Sequence, residues 1–286
     1  MLTFTKLVLG AMVALIITAA ALLGIGQWTY NRRMDAEARD FFARQSDDQA
    51  VADVVVTEAM LQDLPAPIRR YLTYSGVVGH TIPHTVHIRQ VGQFRTDPSQ
   101  PWMDITANEV YAVDEPGFLW DATFYMAGVP FMRIRDRYAD GEGNIRMTVW
   151  SLVQAIDKRS PGLNQGALAR YFNEMAMWFP GALLKDNVTY RAIDDERTEV
   201  FLTDRGQTVS AIFYVDAEGR LTNFIADRYQ DAIDEYRPWA TPLTAYGERA
   251  GLRLPVRGQG VWLDPGGDFT YIDIQATDIT YDSLGD

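Results

Sequence analysis

A nearly unbroken run of apolar residues near the start of the chain constrains its architecture more than any other feature. The run covers residues 7–25 and contains no charged side chain. At about 1.5 Å per residue, roughly 20 helical residues span a bilayer core of about 30 Å. Trp28 and Arg32 follow the run, which is typical of the interface where such a helix leaves the membrane. The sequence therefore predicts a transmembrane anchor within residues 1–33 that contacts the membrane through residues 5–30.

A cleaved signal peptide is the alternative interpretation of the same run. Signal peptides usually have an apolar region of about 7 to 15 residues, followed by small residues at the cleavage site. This run is longer, and Gln27 and Trp28 stand where it ends. We therefore expect an uncleaved, single-pass anchor in the inner (cytoplasmic) membrane. Charge counting, with Arg32 and Arg33 after the run and Lys6 before it, favours a cytoplasmic position for the domain that follows.

The composition is acidic and lacks cysteine. The chain carries 38 Asp and Glu against 26 Lys and Arg, a formal net charge of −12. Such a surface repels nucleic acid and anionic lipid head groups, so we do not expect nucleic-acid binding. The absence of cysteine excludes thiolate catalysis, iron–sulfur clusters and disulfide bonds.

Beyond the apolar run, the sequence pattern changes from helical to alternating. Residues 34–74 have the apolar spacing of helices and predict a helical juxtamembrane region. Within residues 75–286, alternating segments separated by turn residues predict roughly nine or ten antiparallel strands. Residues 151–180 interrupt these strands with a helical insert. The fold class is therefore predicted as α+β, with an N-terminal transmembrane helix and a curved, mostly antiparallel sheet that wraps the inserted helices.

The most charged of the predicted strands covers residues 129–138. Arg133 and Arg135 share one face, whereas Asp136 lies on the other, apolar face and needs a buried donor such as an arginine or a tyrosine. The arginine face is typical of a solvated surface, although arginines beside a cavity mouth also bind phosphate or carboxylate head groups. The turn sequence at residues 140–143 predicts a hairpin with the strand that follows.

The helical insert carries two sets of residues at helical spacing. Arg170, Glu174 and Trp178 recur at every fourth position and share one stripe, an arrangement that is usually structural. Phe172 and Met175 belong to a second, apolar face that is predicted to pack against the concave side of the sheet.

Nothing in the sequence specifies a catalytic or metal centre. His80, His84 and His87 lie close together, but Pro83 interrupts any helix, and strand spacing points His84 and His87 to opposite faces. The chain contains no G-x-S-x-G, P-loop, G-x-G-x-x-G or H-E-x-x-H motif. We therefore expect no metal, no cofactor and no catalytic residue.

A series of motifs runs in a fixed order from about Pro65 to the C-terminus. It includes Arg89-Gln90-x-Gly92-x-Phe94-Arg95, Pro116-Gly117-Phe118-x-Trp120, Arg135-Asp136-x-Tyr138-x-Asp140-Gly141, Arg170-Tyr171-x-x-Glu174, Pro238-Trp239 and Phe269-x-Tyr271. In these motifs the chain resembles a widespread bacterial family of uncharacterised proteins, a domain of unknown function often preceded by membrane helices. The resemblance implies no established activity. In layout alone, the chain also resembles the half-barrel fold of periplasmic lipoprotein carriers and related lipid-binding proteins.

The function that we expect is that of a non-catalytic, membrane-anchored envelope protein with its soluble domain on the periplasmic side. Its sheet and helices would shelter a lipid, an acyl chain or another apolar ligand. About ten buried methylene groups would contribute roughly 8 kcal/mol before the entropic cost of binding. The candidate ligand-binding residues are Trp120, Arg133, Arg135, Asp136, Phe172, Glu174, Met175 and Trp178.

Two other functions stay open at this point. A fully packed interior would favour a scaffold subunit that binds an envelope protein partner. A polar cleft around Glu174 or Asp136 would favour a hydrolase that uses one of these carboxylates. A continuous apolar cavity would favour the lipid-binding protein.

Overall fold

The computed structural model describes residues 2–47 and 52–283. Residue 1, residues 48–51 and residues 284–286, which belong to the predicted anchor, juxtamembrane region and sheet domain, lie outside the described residues. The division of the chain at residues 33 and 74 stays a prediction.

The helices of the described residues lie before the sheet and in the middle of it. They are α1 Leu2–Asp47, α2 Glu58–Leu61, α3 Ala66–Ser75, α4 Pro161–Trp178 and a short 3-10 helix Pro180–Leu184. Among the helices in the described parts of the chain, α1 is the one long and apolar enough to cross a membrane, judged by length and composition over Phe4–Phe41. An N-terminal helix of this kind is a candidate membrane anchor or signal sequence.

Fourteen strands of the described residues form a single sheet, and all neighbouring strands are antiparallel. They are β1 Thr85–Phe94, β2 Met103–Ala112, β3 Gly117–Met126, β4 Val129–Ala139, β5 Glu142–Val149, β6 Val153–Lys158, β7 Val188–Ala192, β8 Arg197–Asp204, β9 Gln207–Val215, β10 Leu221–Gln230, β11 Glu235–Ala240, β12 Leu243–Arg249, β13 Leu252–Trp262 and β14 Phe269–Tyr281. Their order is β6-β5-β4-β3-β2-β1-β14-β13-β11-β10-β9-β8-β7, and β12 pairs with β13 beside this path.

The class α+β is confirmed, but the sheet has more strands than the nine or ten that the sequence predicted. β6 occupies residues that were predicted to begin the helical insert. The strand was not predicted because it lies at the exposed edge of the sheet and shows no alternation of buried and exposed residues. β11, β12 and most of β13 were not predicted. Pro238 and Pro255 lie within two of these strands, and proline lacks the N–H group that a ladder uses, so the sequence pattern argued against strands there.

The predicted β4–β5 hairpin is confirmed. Ile134 pairs with Met147, and Ala139 pairs with Glu142 across a two-residue turn. Asp140 and Gly141 have φ values of 57° and 80°, the left-handed conformation that a tight hairpin turn needs at both positions.

The helix α4 lies inside the curve of the sheet. It contacts β3, β4 and β5 on one half of the sheet and β9, β10 and β13 on the other half. Phe172 is fully buried, with its ring centroid 5.5 Å from that of Phe213 and 5.3 Å from that of Phe224. The predicted burial of Phe172 and Met175 is therefore confirmed. The sheet wraps α4 as the pattern indicated.

The second half of α1 packs on the outer face of the same sheet. Arg135 forms a 2.7 Å salt bridge with Glu37, and the Arg133 guanidinium lies 4.3 Å from the ring centroid of Tyr30. Phe41, at the far end of this contact, is buried against β2. The prediction that Arg133 and Arg135 form a solvated face was wrong. The helix α1 covers both residues, so Arg133 is only 7% exposed and Arg135 only 4% exposed.

His84 joins two segments at the edge of the sheet where β2 ends and β3 begins. Its ring nitrogens lie 3.1 Å from Asp53 and 2.6 Å from Asp114. The hydrogen bond to Asp53, together with the hydrogen bond and charge of Asp114, raises the pKa of His84 above its ordinary value of 6.5.

This raised pKa predicts a specific pH dependence of stability. The stabilisation is fully present below the unfolded-state pKa of His84 and is lost as the pH rises through its higher folded-state pKa. Between about pH 6 and pH 8, we expect the urea midpoint of the full-length protein to fall more steeply than that of His84→Gln. Equal slopes for the two proteins would show that His84 contributes nothing to this dependence.

Candidate ligand-binding cavity

A largely apolar cavity lies between α4 and the inner face of the sheet. Its volume is about 370 Å³, within the range of roughly 300–1,000 Å³ that is usual for small-molecule sites. Two of the lining residues are exposed to solvent: Thr96, which follows β1, and Ala232, which lies between β10 and β11. The cavity is open to solvent beside these two residues. Its apolar wall includes Phe94, Trp120, Phe124, Ile134, Ile145, Trp178, Trp239, Trp262, Phe269, Tyr271, Ile272 and Ile274.

Strand alternation places most of this wall, because every second residue of a strand faces inward. The consecutive residues Tyr271 and Ile272 both line the cavity, at a point where the register between β13 and β14 is irregular. A glycine adds space at one point. A Cβ atom at Gly260 would lie 2.8 Å from the ring of Tyr271 and 2.7 Å from Ile272, so only glycine lets these two side chains lie where they do. The cavity wall thus depends on the absence of a side chain in β13 as well as on its apolar neighbours.

A buried arginine with three carboxylates forms the polar part of the cavity. Arg170 of α4 lies 2.8 Å from Glu109, 2.9 Å from Asp136 and 2.9 Å from Glu174. The side chain of Arg170 is 12% exposed and that of Glu109 is fully buried. The ring of Trp120 lies against the guanidinium, with its centroid at 4.6 Å. Asp136 therefore has the buried arginine donor that its position required.

The sheet register explains why these groups meet. Glu109 of β2 pairs with Trp120 of β3, and Trp120 pairs with Asp136 of β4, so the three side chains form a row across the inner face. Gln90 of β1 extends the network, since its amide donates to Glu109 and its carbonyl accepts from the Trp120 indole, both at 2.9 Å. Arg170 completes it from the helix.

Burial raises the pKa of Glu109 and of Glu174, although the charge of Arg170 opposes both shifts. One arginine faces three carboxylates, so a raised carboxyl pKa reduces the excess negative charge of the cluster. The second carboxyl oxygen of Glu174, Oε2, is buried without a hydrogen-bond partner in the described residues. Protonation of Glu174 would remove its negative charge and so lower the cost of burying this unpartnered oxygen.

Arg228 is a second arginine on the cavity wall, and its surroundings differ from those of Arg170. It donates to the carbonyl of Gly166 at 2.9 Å and to the Tyr271 hydroxyl at 3.1 Å. Its guanidinium lies 4.6 Å from the ring centroid of Trp239. Within the described residues it forms no salt bridge. Its positive charge therefore faces the cavity without a carboxylate bound to it.

Residues 54–274 match a family of unknown function, DUF6544. The chain belongs to this family. The resemblance to an uncharacterised family is therefore confirmed. A search of curated proteins finds no match to the chain.

The solved structures that are similar to this DUF6544 protein include the following two. A LolA superfamily protein from Nitrosomonas europaea shares 9% sequence identity at a TM-score of 0.42, over 78% of this chain and 96% of that chain. A DUF1329 family protein from Desulfovibrio piger shares 12% identity at a TM-score of 0.43, over 82% of this chain and 96% of that chain.

The structure brings four of the eight candidate residues of this DUF6544 protein together at the cavity. They are Trp120, Asp136, Glu174 and Trp178. Arg133 and Arg135 lie on the opposite face of the sheet, under α1. Phe172 and Met175 lie in the core but do not line the cavity, because the cavity faces the stripe of α4 that carries Arg170 and Glu174.

Arg228 was not among the candidates, although its sequence position carried a signal. Phe224 and Ala226 of β10 point inward, so the alternation also places Arg228 on the inner, apolar face. This is the same signal that singled out Asp136. In the described parts of the chain, no three His, Asp or Glu side chains are arranged so that they could hold a metal ion.

Proposed function

We propose that this DUF6544 protein is a non-catalytic, membrane-anchored envelope protein that binds a lipid or another apolar ligand between the sheet and α4. The observation that carries the proposal is the largely apolar cavity of about 370 Å³, which opens to solvent beside Thr96 and Ala232. An interior filled by side chains would leave no such space, so this observation favours a binding protein over a scaffold.

The charges of the wall support an amphipathic ligand with a negatively charged or strongly polar head group. Three carboxylates surround Arg170 and outnumber its charge, whereas Arg228 forms no salt bridge within the described residues. The charge of Arg228 is therefore the one that supports binding of carboxylate or phosphate oxygens. Trp120 and Trp178 would contact the apolar chain. Asp136 and Glu174 would shape the polar wall through Arg170.

The anchor defines where the protein would act. The exposed apolar part of α1 supports retention in a membrane. The inner membrane and the periplasmic side belong to the proposal because lipids pass between the envelope membranes there, although the charges that flank the apolar run favour the cytoplasmic side. An envelope protein partner is compatible with this position. Catalysis is not part of the proposal, because Asp136 and Glu174 both bind Arg170 within one buried cluster of charges, which accounts for them structurally.

Filling the cavity tests the proposal. Ile134 lines the cavity and is half-buried, so Ile134→Trp should displace at least two ligand methylene groups. At about 0.8 kcal/mol per methylene, we expect roughly tenfold weaker binding. Native mass spectrometry of the detergent-extracted, full-length protein, with lipid identification, measures the copurifying ligand.

The matched control is Ile212→Trp. Ile212 is also half-buried in a strand but does not line the cavity, so its substitution should leave the bound lipid unchanged. Undiminished lipid in a folded Ile134→Trp protein would contradict binding at this place. Arg228→Gln should shift the copurifying species away from anionic lipids while neutral lipids stay bound.

A further inference from the structure

Exposed apolar side chains concentrate along one edge of the sheet, which we name the apolar edge. Their exposed fractions range from 36% to 63%, whereas large apolar side chains of soluble domains are normally scattered singly when exposed. The residues are Trp102 in the β1–β2 loop, Met126 and Val129 at the β3–β4 turn, and Trp150, Leu152 and Val153 at the β5–β6 turn.

The strand register shows that these three connections lie at the same edge. Phe94, the last residue of β1, pairs with Met103, the first residue of β2. The second residue of β2 pairs with the penultimate residue of β3, which brings the β3–β4 turn beside them. Met132 of β4 pairs with both Phe124 and Val149, so the β5–β6 turn lies at this edge too.

The helix α1 leaves the domain at the apolar edge. Gln27 accepts a hydrogen bond from Ser151 of the β5–β6 turn at 2.9 Å, and Gly26 lies directly against Leu152. From there the helix runs down the outer face of the sheet to Phe41, while all 22 residues of the stretch 4–25 are exposed. At about 1.5 Å per residue this stretch measures about 33 Å, close to the thickness of a bilayer core of roughly 30 Å.

The sequences of the β3–β4 and β5–β6 turns suit a lipid surface, whereas the β1–β2 loop carries one acidic residue, Asp97. Residues 125–132 and residues 148–156 contain no charged side chain, in a chain whose net charge is −12. Trp150 and Ser151 form the tip of the β5–β6 turn with φ values of 54° and 56°, a conformation unfavourable for tryptophan. The fold thus holds a large apolar ring exposed at the point where α1 emerges.

We propose that the apolar edge lies in the membrane interface around α1. The domain would then contact the bilayer surface directly and would not be connected to the membrane by α1 alone. This inference depends on the membrane anchoring of the proposed function. The cavity opens beside Thr96, which follows β1 at this same edge. A lipid would therefore pass between the cavity and the adjacent membrane leaflet without crossing bulk water. Insertion is driven by apolar burial, since the acidic chain gains nothing from anionic lipid.

Single-cysteine labelling tests this proposal, because the natural chain contains no cysteine. Two full-length variants, Val129→Cys and Val153→Cys, are each spin-labelled at the new cysteine and reconstituted into phosphatidylcholine nanodiscs. Collision rates with oxygen, which partitions into lipid, and with a water-soluble nickel chelate report the surroundings of the label. The matched control is Val55→Cys, which has 51% exposure against 52% for Val129 and lies two residues from Asp53 at the opposite edge. Leu15→Cys reports on the span itself.

We expect the labels at residues 129 and 153 to be protected from nickel several-fold more than the label at residue 55, with the Leu15 label deepest. If the Leu15 label lies in lipid while residues 129 and 153 are as accessible to nickel as residue 55, the resting contact is overturned and the anchor stands. If the Leu15 label is itself accessible to nickel, both the anchor and the contact fail. Circular dichroism of each labelled protein confirms that it is folded.

Discussion

Replacing Arg170 with methionine is expected to lower the free energy of unfolding by about 3–5 kcal/mol, the usual range when one partner of a buried ion pair is removed. Methionine keeps most of the side-chain volume, so the loss measures charge and hydrogen bonds more than packing. Without the guanidinium, the carboxylates of Glu109, Asp136 and Glu174 would be buried without the arginine that forms their salt bridges. Urea unfolding of the detergent-solubilised protein, followed by tryptophan fluorescence, measures the change.

An exposed arginine of the same sheet provides the matched control. Arg89 forms a 3.0 Å salt bridge with Asp278, but the two side chains are 48% and 41% exposed. Arg89→Met should therefore lower the free energy of unfolding by no more than about 1 kcal/mol. Because Glu109→Gln removes one of the uncompensated charges, Arg170→Met with Glu109→Gln should be more stable than Arg170→Met alone. Equal losses for the Arg170 and Arg89 variants would contradict a structural role for the buried cluster.

The strands that could be predicted from the sequence are those in which the alternation of apolar and polar residues matches the burial of their side chains in the fold. The β4–β5 hairpin followed from alternation and from an Asp-Gly turn, and both are properties of adjacent residues. β6 and β12 could not be predicted in this way. β6 is an exposed edge strand, and β12 pairs only beside the main path of the sheet, so neither shows one clearly buried face. Their pairing is decided by neighbours that are distant in sequence.

Some of the residues that line the candidate cavity could also be predicted, because their positions follow from periodicity within a single helix or strand. The stripe of Arg170, Glu174 and Trp178 follows from helical periodicity, and Asp136 stood out as a charge on an apolar strand face. The burial of Arg133 was not predictable, because it requires α1 to fold back along the outer face of the sheet. No periodicity within a strand carries information about which distant helix covers it.

Replacing Phe172 with alanine is expected to cost about 3–5 kcal/mol of stability, as for other aromatic side chains in well-packed cores. Phe172 is fully buried between Phe213 and Phe224, so the substitution leaves a void on the side of α4 that faces β9 and β10. The control is Tyr236→Ala. Tyr236 also makes one edge-to-face ring contact, with Tyr229 at 5.5 Å, but it is 59% exposed. Its loss should cost no more than about 1.5 kcal/mol.

Ligand binding separates this packing role from a binding role for Phe172. The ring does not line the cavity, so a Phe172→Ala protein that is still folded should retain its copurifying lipid at the wild-type level. Ile134→Trp should show the reverse, with stability nearly unchanged and lipid reduced. Native mass spectrometry and urea unfolding on the same preparations give both readouts. Loss of lipid from folded Phe172→Ala would show that the space used by the ligand extends past α4 to the face that carries Phe172.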